Sequence, residues 1–381
     1  MQKKSLAALV ATLFAIPFAA HADVTVYGFI SGGIESTKAT GNGVSSKDYT
    51  SRTRVVDHNS RIGFKGFEDL GNGTKAIWQV ESSLKNFENG GTDDKGVTAT
   101  FGTRNTFVGL DNANFGKVYL GYSDTAYKAM TDIGLNLLTN TTADVNGSSS
   151  VYSRGETRLK NSVHYVSPDL SGFKVGLSYG VDEAQTSDST GAKTDASRLS
   201  LAANYTLGGL QVATGWDRQN DKGDYKGATL YSGKNTSFYK LAASYKFSTG
   251  TFVGAGYEWG RFDSTVAGKG TLKQDDWTIA IGQDIGNASI KLSYSDLGKL
   301  TGATAGTEGD YKAHEWVFGG TYNLSKSTQL FGYYAKITNK KSQNANFANN
   351  AVYDTASGTP TASLTKGNSP EAVGVGMKVA F

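Results

Sequence analysis

The feature that most constrains the fold of this chain is the regular alternation of short and long connections between its amphipathic segments. About sixteen segments of strand length alternate apolar and polar side chains with the period of two expected for β-strands. Every second connection is a short turn, such as "DLGNG", "SPDLSG" and "NLSKS". The others are long and polar and lie at 36–58, 87–97, 124–156, 183–197, 220–235, 264–271, 298–311 and 340–370. This order predicts a sheet with all its turns at one rim and all its loops at the other.

The pattern predicts an all-β fold, namely a closed 16-stranded antiparallel transmembrane β-barrel with short periplasmic turns and long extracellular loops. A soluble β-sandwich has Greek-key connections, which would interrupt the alternation. The 48 glycines, 4 prolines and 11% aromatic residues argue against a helical bundle and against a disordered chain. Because barrels of about 16 strands leave an aqueous channel, the predicted geometry implies passage of water and small solutes.

The N-terminal residues predict export. Lys3 and Lys4 precede an apolar run over 6–18, and the small-x-small sequence that ends at Ala22 is typical of a signal-peptidase site. We therefore expect a signal peptide at 1–22, cleaved after Ala22, and a single barrel domain at 23–381. The chain has no cysteine, so its stability cannot depend on disulfides. Its net charge of +4 argues against a nucleic-acid partner, which usually requires a strongly basic surface.

The C-terminal segment "EAVGVGMKVAF" has one apolar face and one face of small or charged residues. Val373, Val375, Met377, Val379 and Phe381 share the apolar face. In lipid every backbone amide and carbonyl needs a protein partner, so a spanning sheet has to close. We therefore expect the last strand to pair with the first, "DVTVYGFISGGIES".

The connection at about 124–156 differs from its neighbours because it carries apolar residues that would be unfavourable in water. These residues are Met130, Ile133, Leu135, Leu137 and Leu138. We expect this third loop to fold inward, pack on the barrel wall and narrow the lumen as a constriction loop. The alternative is an external loop that packs at a subunit contact.

Strand parity indicates which charged side chains face the lumen. Ile62 and Phe64 suit the lipid side, and a charge there would cost about 2–4 kcal/mol near the midplane. Leu159, Val163 and Tyr165 are assigned outward in the same way, and Arg104 is assigned inward on a poorer alternation. The predicted basic wall consists of Arg61, Lys65, Arg104, Arg158, Lys160 and His164. The predicted opposing acids of the loop are Asp124, Asp132 and Asp144. This arrangement would favour anions, unless the side chains only solvate the lumen.

The sequence gives little support for an enzyme, a metal site or a cofactor site. "GLSYG" at Gly176–Gly180 matches the G-x-S-x-G pattern, but Ser178 sits within an alternating strand rather than a strand-to-helix turn. No histidine pair outside the predicted signal peptide has a spacing typical of metal ligands, and no cysteine is available. Asp93 and Asp94 read as a solvated loop tip. We therefore expect no enzyme, no metal and no cofactor.

The chain resembles the trimeric general diffusion porins of Gram-negative bacteria, of the neisserial and beta-proteobacterial kind. The resemblance covers its whole length. The motifs that carry it are "VTVYGFISGGIE", "SRIGFKGFEDLGNGTKAIWQVE", "TRNTFVGLDNANFGKVYLGY" and "NSVHYVSPDLSGF", together with Phe381. The resemblance implies a homotrimer in the outer membrane, passive diffusion of ions and small hydrophilic solutes, and contacts with outer-membrane lipid or lipopolysaccharide.

Several residue roles follow from the resemblance alone. It implies that Arg61, Arg104 and Arg158 form the basic constriction cluster, and that anions are preferred. It also implies that Phe381 belongs to a signal for the barrel-assembly machinery. Many relatives have Arg at the position of His164, and a histidine there could make conductance respond to pH near 6.5. The alternative functions are a specific channel for anionic solutes such as phosphate or dicarboxylates, and an adhesin or receptor that acts through 340–370.

Overall fold

The computed structural model describes residues 23–84, 101–181, 196–220, 235–263, 270–352 and 364–381. Within these residues, seventeen strands and one α-helix connect in chain order. The strands are β1 (Asp23–Thr40), β2 (Tyr49–Asp57), β3 (Arg61–Gly71), β4 (Thr74–Ser83), β5 (Thr106–Asn112), β6 (Gly116–Asp124), β7 (Arg158–Val166), β8 (Phe173–Val181), β9 (Ser197–Leu207), β10 (Leu210–Asn220), β11 (Thr236–Lys246), β12 (Thr251–Asp263), β13 (Thr271–Ile285), β14 (Ala288–Leu297), β15 (Ala313–Asn323), β16 (Thr328–Asn339) and β17 (Ser369–Ala380). The helix is α1 (Ala126–Thr131), and short 3₁₀ turns lie at Ser45–Lys47 and Glu308–Tyr311.

The sheet closes between its last and first strands. β17 pairs antiparallel with β1 over the whole register from Phe29 opposite Ala380 to Thr40 opposite Ser369. Gly28 and Phe381 extend the seam by exchanging two backbone hydrogen bonds of 3.1 Å. The predicted pairing of the two terminal strands is therefore confirmed.

The seventeen strands occupy sixteen positions of the barrel. β2 pairs with the second half of β1, and β3 pairs with its first half, so β2 and β3 are two parts of one barrel strand. The interruption lies at 58–60, where Asn59 adopts a left-handed conformation (φ 60°). The predicted 16-stranded antiparallel barrel is confirmed.

The predicted long loop at 36–58 is wrong in extent. β1 continues to Thr40 and β2 begins at Tyr49, so most of this segment is strand. The mixture of polar residues in "STKAT" and "DYTSRTR" hides these strands, because no apolar face marks them. Their pairing continues nonetheless, with Thr37 opposite Arg52 and Ala39 opposite Tyr49.

Side chains alternate between an outer apolar face and an inner face along the strands. In β17, Val373, Val375 and Met377 are exposed on the outside, whereas Ala372 is buried inside. Among the described residues no helix is long and apolar enough to cross a membrane.

The third loop, between β6 and β7, folds into the barrel, as predicted. It begins with α1, which is capped at Thr125, whose hydroxyl accepts a hydrogen bond from the Lys128 amide (3.2 Å). Four of its five apolar residues are at most 6% exposed, namely Met130, Ile133, Leu135 and Leu138, and Leu137 is partly buried. Their burial removes apolar surface from water and thereby stabilises the inward position.

Candidate functional site

The inner wall carries glycines at the points where the third loop sits. A Cβ on Gly176 would stand 2.4 Å from the sulphur of Met130, and one on Gly319 would stand 2.8 Å from Leu138 Cδ1. Gly256 faces the loop in the same way, with Leu135 Cδ1 at 2.9 Å from its Cβ position. Real Cβ atoms cannot approach so closely, so the absence of a side chain at these positions makes room for the loop.

Wall hydroxyl groups bind the start of the loop. The amide of Ala126 donates to Ser178 Oγ at 2.8 Å, and the amide of Tyr127 donates to Ser200 Oγ at 2.9 Å. Ser178 is 1% exposed and also contacts His164 Nδ1 at 2.8 Å. Its role is thus to anchor α1, which fits the interpretation of "GLSYG" as part of a strand.

Buried carboxylates on the wall bind the returning limb of the loop. Glu258 accepts from the Arg154 amide at 2.7 Å, and Asp276 accepts from the Ser153 amide at 3.2 Å. The Tyr127 hydroxyl also donates to Glu258. A buried polar group that loses its hydrogen-bond partner is destabilising, so these contacts fix the loop against the wall.

The first part of the basic wall lies where the third loop leaves β6 and enters β7. Arg158 Nη2 forms an ion pair with Asp124 Oδ1 at 3.1 Å, and Lys128 of α1 binds the same oxygen at 3.1 Å. Asn105 links the pair, since its carbonyl accepts from Arg158 Nε at 2.6 Å and its amide donates to Asp124 Oδ2 at 3.0 Å. Two cations therefore share one carboxylate at this point.

The second part of the basic wall contains Arg61 and Arg104. Arg104 Nε pairs with Glu81 Oε1 at 2.5 Å, whereas Arg61 forms no ion pair among the described residues. Asn59 lies between the two arginines and accepts from both, through its backbone and side-chain carbonyls, at 3.3 Å each. Arg61 also donates to the side-chain carbonyl of Asn140 in the middle of the third loop. The loop thus meets the wall at an arginine whose charge is not neutralised by a direct partner.

The other predicted basic residues are placed differently. Lys65 is exposed and its ammonium lies 5.2 Å from the ring centre of Tyr27. The outward assignment of Leu159 is wrong, because its Cδ1 lies 3.2 Å from the inward Cβ position of Gly180. Asn161 causes this change, since its positive φ of 49° breaks the period of two. Its neighbour Lys160 is exposed. The inward assignment of Lys160 rested on the same parity and therefore loses its basis.

His164 does not line the pore. Its side chain is 1% exposed, stacks on Tyr119 with ring centres 4.7 Å apart, and binds Ser162 and Ser178 through its two ring nitrogens at 2.8 Å. The expectation that it belongs to the pore-facing basic wall is therefore wrong. The tertiary contacts that enclose it come from β6 and β8, which strand parity within β7 cannot reveal.

Two of the three predicted loop acids do not face the arginines across the lumen. Asp124 ends β6 and pairs directly with Arg158 on the wall. Asp144 is 7% exposed inside the loop, and burial raises the pKa of its carboxyl to about 6 although several amides donate to it. Of the three, only Asp132 is exposed, just after α1.

Sequence reasoning missed several residues of the site, among them Glu81, Lys378 and Asn140. Glu81 and Lys378 share the inward parity of their strands and could have been found by the same rule. Lys378 Nζ lies 4.3 Å from the ring centre of Phe29, and Arg61 Cζ lies 4.7 Å from it, so two cations contact the same ring. Asn140 carries no signal of its own in the sequence.

A cavity of about 230 Å³ adjoins these residues beneath the loop. Its lining includes Phe29, His58, Asn140, Lys291 and Lys378. Lys291 and Lys378 supply the positive charge of the cavity.

The last long loop packs on the third loop. Phe347 and Val352 are fully buried together with Val145 and Val151 of the third loop. The amide of Asn346 donates to the carbonyl of Ser149 at 2.8 Å. Residues 340–352 therefore support the constriction from above, although their composition gave no hint of this role.

Some expectations concern residues outside the described ranges, namely Ala22, Asp93 and Asp94. Among the described residues, no group of three or more histidine, aspartate or glutamate side chains is placed to hold a metal ion.

A family model described as Gram-negative porin matches residues 5–342. The "Major outer membrane protein P.IB" of Neisseria sicca is 34% identical over 345 residues, which cover 86% of this chain and 91% of that protein.

Solved structures share the fold. The "Anion-selective porin from Comamonas acidovorans" superimposes with a TM-score of 0.73 at 22% identity, over 95% of this chain and all of that one. A trimer form of OmpT, an outer membrane protein of Vibrio cholerae, does so with a TM-score of 0.64 at 16% identity, over 94% and 99% of the chains.

The family match extends over most of the closed barrel, its inward loop and its charged wall. This chain therefore belongs to the Gram-negative porin family and is a passive diffusion channel of the outer membrane, not an enzyme.

Proposed function

We propose that this porin is a general diffusion pore with a weak preference for anions. The observation that carries the proposal is the composition of the wall beside the loop. Within the described part of the chain, Arg104, Arg158 and Lys128 form ion pairs with two carboxylates, Glu81 and Asp124, and Arg61 pairs with neither. Lys378 extends the positive wall beyond Phe29. An excess of fixed positive charge at a constriction raises the local concentration of anions.

The test is the reversal potential of single channels in a KCl gradient. We expect Arg61→Glu combined with Arg158→Glu to shift the selectivity towards cations. Arg218→Glu is the control for one such charge reversal, because Arg218 lies on the outer side of β10, next to the inward Asp217. An unchanged reversal potential in the double variant would remove these arginines from the selectivity filter.

A channel specific for phosphate or dicarboxylates remains the alternative. The neutral contact between Arg61 and Asn140 favours the general pore, because a specific site would need several convergent donors around one solute. Conductance that saturates at low salt would identify the specific channel.

We also propose that the chain forms a homotrimer through the outer face of β17, β1 and β2. The exposed large apolar side chains within these strands are aliphatic: Val24, Val26, Ile30, Ile34, Val55, Val373, Val375, Met377 and Val379. Exposed tyrosine and tryptophan side chains lie instead on β8 to β16, for example Tyr179, Tyr205, Tyr245, Trp316 and Tyr322. Aromatic belts mark surfaces that face lipid, so the aliphatic face suits a protein neighbour.

A larger side chain at position 375 tests this interface without adding charge. We expect Val375→Trp to lower the fraction of trimer measured by native mass spectrometry, because a bulky ring disrupts a close protein contact. Ile281→Trp on the outer face of β13 should leave the trimer intact, since lipid accommodates the ring. Equal trimer fractions in the two variants would argue against this interface.

Two further proposals concern maturation. Cleavage after Ala22 is supported by the signal-peptide pattern, and the intact mass of the outer-membrane protein should correspond to residues 23–381.

Recognition of Phe381 by the barrel-assembly machinery is supported by its ring, which is 55% exposed although its backbone closes the seam. Deletion of Phe381 should lower the amount of assembled barrel, and normal outer-membrane levels would count against that role.

A further inference from the structure

The outer face of the β15–β16 hairpin carries an unusual group of cations at its long-loop end. Lys312 directly precedes β15 and Lys340 directly follows β16, and the amide of Lys340 donates to the carbonyl of Lys312 at 2.9 Å. Both lysines are exposed, and neither forms an ion pair among the described residues. Like charges directly across a sheet are destabilising, and neither lysine has a directly paired acid among the described residues to offset this cost.

More charge surrounds the pair on the same face. Two residues further along the hairpin, His314 lies opposite Thr338, and the next outward pair is Trp316 with Lys336. Lys336 shares Glu371 with Lys38, each at 3.3 Å, so one carboxylate serves two lysines. Asp296 lies opposite His314 on the same face. The group keeps a positive excess, because its four lysines, Lys38, Lys312, Lys336 and Lys340, outnumber the two acids Glu371 and Asp296.

Aromatic rings lie directly below the lysines. Tyr294 and Trp316 have ring centres 4.6 Å apart, and Phe318 and Tyr334 follow on the next outward positions. Trp316 is 48% and Phe318 55% exposed. Tyrosine and tryptophan sit at the boundary between headgroups and acyl chains, which places the lysines at headgroup level.

We propose that Lys312 and Lys340, with Lys336 and Trp316, bind the phosphorylated headgroup of an anionic lipid of the outer leaflet. The long connections 298–311 and 340–368 join the strands at this end, and the short turn 324–327 lies at the other end, so the site faces the cell exterior. A phosphate group between the two lysines would offset their repulsion, and the rings would contact the upper part of the acyl chains. The inference rests on the contact with outer-membrane lipid or lipopolysaccharide that the family resemblance implies, and names where that contact is made.

Native mass spectrometry of the purified porin with diphosphorylated lipid A tests the proposal. We expect retention of the lipid by the wild type and about a tenfold loss of affinity in Lys312→Gln combined with Lys340→Gln. Lys326→Gln is the matched control, since it removes one lysine from the short turn of the same hairpin. It should bind as the wild type does.

Two further measurements distinguish binding of the lipid from binding of a free anion. Dephosphorylated lipid A should bind about tenfold more weakly than the diphosphorylated form, and millimolar inorganic phosphate should fail to displace the latter. Equal binding of both lipids, full displacement by phosphate, or unchanged binding in the double variant would overturn the proposal. The reversal potential of the double variant should stay unchanged because these lysines lie outside the lumen, so a failure here is distinct from a failure of the pore proposal.

Discussion

At the scale of single residues, neutral amide side chains hold the charged side chains of the lumen in position. Asn59 accepts from Arg61 and Arg104, and Asn105 joins Arg158 to Asp124. An amide oxygen satisfies a guanidinium donor without cancelling its charge, so the arginines are held in place and remain positive. Strand parity located Arg61, whereas these asparagines could not be recognised because their role depends on neighbours in other strands.

Asp144 gives a prediction at the same scale. Its pKa is about 6 in the folded loop against an ordinary value of 3.8, because burial disfavours the carboxylate. Between about pH 4 and pH 6 the folded loop therefore holds a proton that the unfolded loop lacks. Stability of the loop is highest below about pH 4, falls as the pH rises through about 6, and is constant above it, a change of up to about 3 kcal/mol.

Hydrogen exchange of the third loop at pH 4 and pH 7 measures this effect. We expect greater protection at pH 4 after correction for intrinsic exchange, and a smaller difference between the two pH values in Asp144→Asn, which has no titrating group there. Protection that is independent of pH in the wild type would contradict the shifted pKa.

At the scale of elements, the third loop and the wall fit each other because glycines alternate with polar residues on the inner face. The apolar residues of the loop predicted its inward fold, since their exposure to water would be unfavourable. The extent of β1 and β2 was not predictable in the same way, because residues 36–58 have no apolar face. The interruption at 58–60 was not predictable either, since "HNS" is equally compatible with the end of a loop.

Gly256 tests the fit between the loop and the wall. We expect Gly256→Val to push the loop into the lumen and lower the single-channel conductance, because a Cβ there would stand 2.0 Å from Tyr152 Oη. Ala255→Val is the control, as its side chain points outward on the same strand. A conductance equal to that of the wild type in Gly256→Val would show that the loop does not bear on this position.

At the scale of the whole molecule, the barrel was predictable because closure in lipid leaves few alternatives for amphipathic strands with alternating turns and loops. The positions of Arg61 and Phe381 followed from period and closure alone. The burial of His164 and Asp144, and the packing of 340–352 on the third loop, depend on contacts between distant segments and were not readable from local pattern. The pore therefore differs from the sequence expectation mainly on its loop side. There Asn140 accepts a hydrogen bond from Arg61, whereas acidic residues were expected.

The most direct measurement is the current through purified wild-type protein in a planar bilayer under a tenfold KCl gradient. We expect open channels in groups of three, a conductance that rises nearly linearly with salt, and a reversal potential whose sign shows a mild preference for chloride. A potential of the opposite sign, or a conductance that saturates at low salt, would contradict a general pore whose selectivity is set by its arginines.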